Sequence, residues 1–207
     1  SAIHKKEQEI TIENIGDDIA KVTALINLKD DGFIALGSSM GATAILDAMA
    51  EEKLSPSLAV LIGPNIEFNI PRFLIIILSI VPIQFYKVIR PFAKWYLKKK
   101  YIDMDSDSKQ YDKYSYVLDN VHFDRTRRSA LSFKKYSFER KIEQIKKRIL
   151  VFSGDKDILH NYEKTVDMVR RIKGSKLINL KTNDKTHSAE MVMEMRGYLE
   201  QRNLFKQ

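Results

Sequence analysis

Four short apolar runs stand out against a chain whose remaining segments are amphipathic or polar. They cover residues 33–36, 58–62, 148–154 and 176–180. In the centre of each run, apolar residues follow one another without alternating with polar residues. This pattern is typical of parallel strands that are covered on both faces. The segments between them repeat apolar residues at spacings of three and four, which indicates helices. The pattern therefore predicts an α/β fold, a parallel sheet with flanking helices and right-handed crossovers.

The predicted helices of this α/β part fall before, between and after the strands. They span about residues 11–28, 41–52, 162–172 and 188–203. In the first of them Ile15, Ile19, Val22 and Ile26 recur at helical spacing. Strands and helices therefore alternate from the start of the chain to about residue 65 and again from residue 148.

The middle of the chain does not show the alternation of strands and helices. Residues 66–147 contain no comparable strand, only helical periodicity interrupted by Pro71, Pro82 and Pro91 and by a polar break at 103–108. We therefore expect a helical cap inserted into the α/β core. The predicted division is 1–65 for the part of the core before the insert, 66–147 for the cap and 148–207 for the remainder of the core.

One predicted cap helix is amphipathic and basic. Its apolar face is predicted to carry Phe85, Val88, Ile89, Phe92 and Tyr96, with lysines and an arginine elsewhere. Such a helix either lies on the core or seeks a surface. The carboxylates of the polar break lack the glycine and glutamate spacing of an EF-hand, so we interpret 103–108 as a solvated turn.

The net charge of +8 is concentrated in the insert. Residues 84–147 hold 17 lysines and arginines against 8 acidic residues, a net charge of +9, and 13 of the chain's 20 aromatic residues. A basic, aromatic segment is compatible with an anionic membrane, with nucleic acid or with solubility alone. The apolar run 73–83 is shorter than a spanning helix requires.

The chain contains no cysteine, which excludes disulfides, zinc–thiolate sites and cysteine nucleophiles. We expect a cytoplasmic protein, because the absence of disulfides fits a reducing interior and the polar first residues do not resemble a signal peptide.

The first strand leads into a possible nucleophile site. Residues 37–41 read Gly-Ser-Ser-Met-Gly, which fits the G-x-S-x-G elbow of a strand–turn–helix unit. In such a turn Ser39 is exposed at the end of the strand and the Met40 amide, at the helix N-terminus, faces a developing oxyanion. The alternative is an ordinary turn in which the serines only cap the helix.

A serine nucleophile needs a base and a group that orients the base. The four histidines are His4, His122, His160 and His187. Asp157 and His187 follow the third and fourth strands, so both are expected at the sheet edge that carries the elbow. His160, in the loop of Asp157, is the alternative base, and Asp157 itself could instead cap the next helix.

Three segments carry a resemblance to the α/β-hydrolase superfamily, and within it to the monoacylglycerol-lipase and lysophospholipase type with a helical cap. They are residues 37–41, residues 150–157 with the sequence Leu-Val-Phe-Ser-Gly-Asp-Lys-Asp, and Thr-His-Ser at 186–188. The resemblance implies a serine hydrolase without a cofactor or metal, acting on a carboxylic ester such as an acyl-glycerol. It implies that Ser39 attacks, His187 moves the proton, Asp157 orients the imidazole and Met40 supplies an oxyanion amide; the acid at position 155 is normally non-catalytic. The apolar run 73–83 would roof the acyl pocket.

The chain departs from this family before the elbow. Only one helix and a polar lead precede it, with no strand and no His-Gly pair that would supply a second oxyanion amide. The chain therefore resembles the C-terminal portion of a hydrolase, and we expect further strands to come in cis or from another chain. Loss of one oxyanion donor costs about 10²–10³ in rate, so this portion alone is expected to be weak or inactive.

Two other functions remain open at this point. The same triad cleaves amides in related families, so a peptidase or amidase is the second hypothesis for an enzymatic function. A non-catalytic module that uses the basic insert on a membrane or nucleic acid is the third, although acidic residues between 103 and 124 interrupt the basic stretch. We expect a small acyl ester as substrate, peripheral contact with an anionic membrane, and no nucleic acid.

Overall fold

The computed structural model describes residues 10–28, 30, 32–70, 72–100, 104–120, 122–157 and 159–202. The chain divides into two compact units, with one boundary inside the first helix. The first unit contains the described residues of Ser1–Ile15 and Glu67–Ser137. The second unit contains those of Gly16–Ile66 and Phe138–Gln207.

The elements follow one another along the chain as helices and strands. The helices are α1 (Ile12–Leu25), α2 (Met40–Ala50), α3 (Arg72–Ile80), α4 (Tyr86–Lys100), α5 (Met104–Asn120), α6 (Phe123–Phe133), α7 (Tyr162–Arg171) and α8 (Ala189–Gln201). The strands are β1 (Ile34–Ser38), β2 (Leu58–Ile62), β3 (Ile149–Ser153) and β4 (Lys176–Asn179). Short 3₁₀ helices cover Ile83–Phe85, Glu139–Gln144 and Lys185–His187.

The second unit is built on a four-stranded sheet. Its order is β1-β2-β3-β4 and every neighbouring pair is parallel. The α/β prediction of a parallel sheet with flanking helices is confirmed. Because all four strands run the same way, the loops that follow them meet at one edge of the sheet.

The core of this unit lies on both faces of the sheet. One face of β2 and β3 packs with α8 in a single cluster of buried side chains: Leu58, Val60, Ile62, Leu150, Phe152, Leu180, Met191, Tyr198 and Leu199. The side chains of β2 and β3 are buried at every position. This explains why their sequences are continuously apolar rather than alternating.

The strand β1 and the helix α2 approach closely at Gly37. A Cβ atom on Gly37 would lie 2.7 Å from Ile45 Cδ1 and 2.9 Å from the Ala42 amide nitrogen. At Gly41, by contrast, a Cβ would have no heavy atom within 4 Å. The first glycine of the G-x-S-x-G pattern is therefore required by packing, whereas the second is not.

An ion pair between Lys141 and the buried Asp47 joins the 3₁₀ helix Glu139–Gln144 to α2. Lys141 Nζ lies 2.9 Å from Asp47 Oδ1 and 2.8 Å from Glu51 Oε1. The Asp47 side chain is only 2% exposed. The hydrogen bond from Lys141, together with its charge, lowers the pKa of Glu51 below its ordinary value.

The first unit is helical, and two sequence expectations for it need correction. Pro91 does not interrupt the helix but lies inside α4. Its missing N–H removes one hydrogen bond, and Tyr86 Oη and Lys94 Nζ on either side of it bond to the last turn of α5. The predicted polar break is also wrong: apart from residue 103, which lies outside the described residues, 104–108 form the first turns of α5. Acidic residues are favoured there by the helix dipole.

Within the described part of the chain, no helix is both long and apolar enough to cross a membrane.

Candidate active site

The backbone of Ser39 has the geometry of a sharp strand-to-helix turn. Its φ is 50° and its ψ is −117°, a conformation that costs a non-glycine residue about 1–3 kcal/mol. The Ser39 amide donates to the Ile62 carbonyl at 2.7 Å, which ties the turn to the end of β2. Ser39 is the N-cap of α2, yet its side chain makes no capping hydrogen bond. The hydroxyl is thus directed to other partners than the helix.

A chain of hydrogen bonds runs from Ser39 to Asp157 through His160. His160 Nε2 lies 3.1 Å from Ser39 Oγ, and His160 Nδ1 lies 2.7 Å from Asp157 Oδ2. A carboxylate only accepts hydrogen bonds, so Nδ1 carries the proton and Nε2 accepts from the Ser39 hydroxyl. This arrangement leaves Nε2 able to take the serine proton.

The side chains of Asp157 and His160, in the loop after β3, are held by hydrogen bonds and by burial. Asp157 Oδ1 accepts from the Leu159 amide at 2.8 Å. The side chains of Asp157 and His160 are 2% and 7% exposed. Asp157 does not cap α7; that role belongs to Asn161, whose side chain accepts from the Lys164 amide. Burial favours a strong interaction between the carboxylate and an imidazolium.

Gly63 provides the space for the imidazole. It follows β2 and has a φ of +53°, which favours glycine. A Cβ at this position would lie 3.0 Å from His160 Nδ1 and Cε1. The absence of a side chain at residue 63 therefore allows the His160 ring to lie against the backbone beside the elbow.

His187 makes a second serine–histidine contact at the same edge. Its Nε2 lies 2.8 Å from Ser38 Oγ, and its Nδ1 lies 2.9 Å from the Asn183 carbonyl oxygen and 3.1 Å from Thr186 Oγ1. Because a carbonyl accepts, Nδ1 is protonated here as well, and Ser38 donates to Nε2. His187 is exposed, unlike His160.

The structure thus brings Ser39 and Asp157 together, as predicted from the sequence, but through His160. The sequence-based base, His187, contacts the neighbouring Ser38. Of the other histidines, His122 precedes α6 in the first unit and His4 lies outside the described residues. The role of each histidine as a base stays a prediction.

Asp155 occupies a different environment from Asp157. It is on the surface, where hydrogen bonding with Asn179 and the Lys181 ammonium lower its pKa. A carboxylate engaged with solvent and a surface lysine does not orient a buried imidazole. Asp157 is the acid of this loop that contacts a histidine.

Met40 is the first residue of α2. The first amides of a helix have no carbonyl partner within the helix and carry the positive end of its dipole. The position of Met40 directly after Ser39 is the one expected for an oxyanion amide, and its role stays a prediction.

Asn65 was missed by the sequence analysis. Its Nδ2 lies 3.5 Å from Ser39 Oγ. Its backbone is fixed by Thr43 of α2, whose Oγ1 accepts from the Asn65 amide at 2.8 Å and also lies 3.1 Å from the Ser39 carbonyl oxygen. The sequence feature that could have identified Asn65 is its position three residues after the end of β2, at the sheet edge where the other site residues lie.

Residues 11–187 match the family model described as serine aminopeptidase, S33. A search of curated proteins found no match.

Solved structures match most of the chain at low sequence identity. A hydrolase from Oleispira antarctica is 17% identical with a TM-score of 0.73, over 92% of this chain and 72% of that one. A thermophilic esterase from Thermogutta terrifontis is 14% identical with a TM-score of 0.65, over 94% and 74%. A bromoperoxidase from Bacillus anthracis is 15% identical with a TM-score of 0.70, over 95% and 77%. These similarities show the α/β-hydrolase fold, and the family match covers most of the chain. The chain therefore belongs to the serine aminopeptidase S33 family of α/β hydrolases.

Proposed function

We propose that this protein is a serine hydrolase that cleaves a carboxylic ester through a covalent acyl-enzyme on Ser39. The observation that carries the proposal is the hydrogen-bonded chain that begins at Ser39 and runs through the buried His160 to the buried Asp157 side chain. Ser39 itself lies on a strained strand-to-helix turn. Strain at one residue, together with a hydrogen-bonded base, is typical of an activated nucleophile.

In the first half-reaction Ser39 Oγ attacks the carbonyl carbon while His160 Nε2 takes the hydroxyl proton. The tetrahedral intermediate carries a negative charge on the former carbonyl oxygen. Its collapse breaks the bond to the alcohol, which leaves with the proton from His160. The Asp157 carboxylate stabilises the imidazolium.

In the second half-reaction a water molecule replaces the alcohol. His160 takes a proton from this water as its oxygen attacks the acyl carbon. Collapse then returns the proton to Ser39 Oγ and releases the carboxylic acid, which restores the starting enzyme.

Two donors from this chain are suited to stabilise the oxyanion. The Met40 amide is at the N-terminus of α2, and the Asn65 side-chain amide lies beside Ser39 Oγ. A side-chain amide of asparagine can act as an oxyanion donor together with a backbone amide. Asn65 would reduce the dependence on a donor from outside the chain.

Labelling with a fluorophosphonate tests the nucleophile. We expect covalent modification of the wild type, no modification of Ser39→Ala, and near wild-type modification of Ser38→Ala. The second variant is the matched control because it removes the adjacent hydroxyl. Modification that survives Ser39→Ala would refute the proposed nucleophile.

A lipid or another long acyl ester, of the monoacylglycerol-lipase type, is the proposed substrate class. Support comes from α3, which is apolar at every position except Arg72 and Ser79 and exposes Ile76 and Ile80. A series of p-nitrophenyl esters of increasing chain length tests this: kcat/KM should rise from acetyl to octanoyl. A preference for acetyl would contradict the lipid assignment.

Amide cleavage is the second candidate, and the family description as a serine aminopeptidase favours it. The triad chemistry is the same, and only the leaving group differs. Aminoacyl p-nitroanilides, compared with the p-nitrophenyl esters of the same acyl groups, separate the two activities.

We include in this proposal a further strand beside β1, supplied in cis or by another chain. In the described residues β1 pairs with β2 alone, and Leu36 on β1 is 53% exposed. An apolar strand at the edge of a sheet tends to pair with another strand. Hydrogen exchange tests this, since the outward amides of β1 should be unprotected in this chain alone and protected when the added strand is present.

A further inference from the structure

The outer face of α4 is apolar at its centre and cationic around it. Val88, Phe92 and Trp95 follow one another at spacings of four and three, so they lie on one side of the helix. Their exposed fractions are 73%, 45% and 52%. Exposed apolar side chains that form one stripe, rather than occurring singly, indicate a surface for another molecule.

The opposite side of α4 is occupied by α5. Tyr86 Oη donates to the Leu118 carbonyl at 2.6 Å, and Lys94 Nζ lies 2.7 Å from Asp119 Oδ2. Arg90 also contacts the Asp119 carboxylate, at 3.3 Å. These contacts fix the rotation of α4 about its axis and direct the Val88 side outward.

Lysines border the apolar stripe. Lys87, which is exposed, lies along one flank, and the exposed Lys99 lies over the Trp95 ring at 5.2 Å. Lys98 instead turns toward α5, where its Nζ lies 5.9 Å from the centre of the Tyr111 ring. The sequence of α4 contains no acidic residue. Long lysine side chains beside an apolar stripe can place their ammonium groups at the level of lipid phosphates while their methylenes stay with the acyl chains.

We infer that the Val88–Phe92–Trp95 face of α4 docks onto an anionic lipid surface, with the helix lying in the plane of the interface. Aromatic and aliphatic side chains enter the headgroup region, and the flanking lysines pair with anionic headgroups. The apolar centre favours a membrane over nucleic acid, because a phosphate backbone leaves Val88 and Phe92 in water. This inference is independent of the proposed hydrolysis.

The experiment uses Trp95, the only tryptophan in the chain, as its probe. The Ser39→Ala protein, which leaves lipid esters intact, is titrated with vesicles of phosphatidylcholine containing roughly one-third phosphatidylserine. We expect a blue shift of the tryptophan emission and co-sedimentation with the vesicles. Pure phosphatidylcholine should give much weaker binding, and high salt should weaken binding to the anionic vesicles.

Substitutions separate the apolar and electrostatic contributions. Val88→Ser with Phe92→Ser should lower the partition coefficient at least ~tenfold. Lys87→Gln and Lys99→Gln should each lower it about fivefold. Met193→Ser, which changes an exposed apolar residue on α8, is the matched control and should bind like the parent.

Three results would overturn the inference. The first is unchanged Trp95 emission with the protein left in the supernatant. The second is a blue shift that depends on protein concentration without lipid, which would assign the face to a second copy of the chain. The third has two parts: a DNA duplex displaces the protein from the vesicles, and the Val88→Ser/Phe92→Ser variant binds the vesicles as well as its parent does. This result would assign the basic residues to nucleic acid.

Discussion

Replacing each of the two histidines at the sheet edge by asparagine decides which one is the base. In His160→Asn, the asparagine δ atoms occupy nearly the positions of the proximal ring atoms, so the side-chain amide can still donate to Asp157. The Nε2 atom, which lies 3.1 Å from Ser39 Oγ, is lost. In His187→Asn the bond to the Asn183 carbonyl can likewise be kept while the contact with Ser38 is lost. The two variants are therefore matched.

The expected magnitudes differ because the environments differ. General-base catalysis contributes about 10²–10⁴ in rate. For His160, which is buried and paired with a carboxylate, we expect a loss of about 10³ in kcat/KM, or about 4 kcal/mol of transition-state stabilisation. The exposed Ser38–His187 hydrogen bond contributes about 1 kcal/mol at most, so His187→Asn should lower the rate less than about fivefold.

The assay is the second-order rate of fluorophosphonate labelling, supported by hydrolysis of a p-nitrophenyl ester. Labelling requires no knowledge of the natural substrate. Thermal unfolding of both variants provides the control for folding. If His187→Asn abolishes labelling and His160→Asn retains it, His187 is the base, and the hydrogen-bond chain through His160 has only a structural role.

Three further predictions test the oxyanion donor, the elbow and the ion pair. Asn65→Ala should lower kcat by about 10²-fold with little change in KM, because the Asn65 side-chain amide is proposed to stabilise the transition state. An unchanged kcat would show that Asn65 is not an oxyanion donor. Gly37→Ala should destabilise the fold by roughly 1–3 kcal/mol, since its Cβ has no space, whereas Gly41→Ala should be neutral or stabilising in thermal unfolding. Equal effects would contradict the packing argument. Lys141→Met should lower the free energy of unfolding by up to about 3 kcal/mol, because it removes the cation beside a buried carboxylate. Because the pKa of Glu51 is lowered in the folded protein, its ionised form stabilises the fold at pH values above 4.5, the ordinary pKa of the group. This contribution is lost as the pH falls through the lower pKa that Glu51 has in the folded protein. Urea unfolding of the variant should therefore depend less on pH in this acidic range; an unchanged dependence would exclude Lys141 as the cause.

Local patterns determined much of the fold. The continuous apolar runs identified all four strands. For β2 and β3 the reason is that a parallel strand covered on both faces has no polar positions, whereas β1 and β4 lie at the edges of the sheet and are partly exposed. The G-x-S-x-G pattern identified the turn at Ser39, because the close approach at Gly37 excludes any side chain. The parallel direction of the strands then brought the loops after β1, β3 and β4 to one edge.

The sequence did not determine which faces of the helices are buried. The periodicity of α4 grouped Val88 and Phe92 with Tyr96 on one face, whereas the structure leaves Val88 and Phe92 exposed beside Trp95. Only the contacts with α5 determine the rotation of the helix. Two other predictions failed for a similar reason. Pro91 lies within α4 because contacts with α5 on either side outweigh the local helix breaker, and residues 104–108 are helical because the helix dipole favours acidic residues in a first turn.

The pairing of donors and acceptors at the site was decided by the tertiary structure alone. Chain order and resemblance predicted His187 as the partner of Ser39, and both histidines do reach the elbow. Which serine each of them contacts depends on differences of a few ångströms, set by the turn at Asp157 and by the space above Gly63. Distances of that size arise from packing between segments far apart in the chain, so no pattern along the sequence records them.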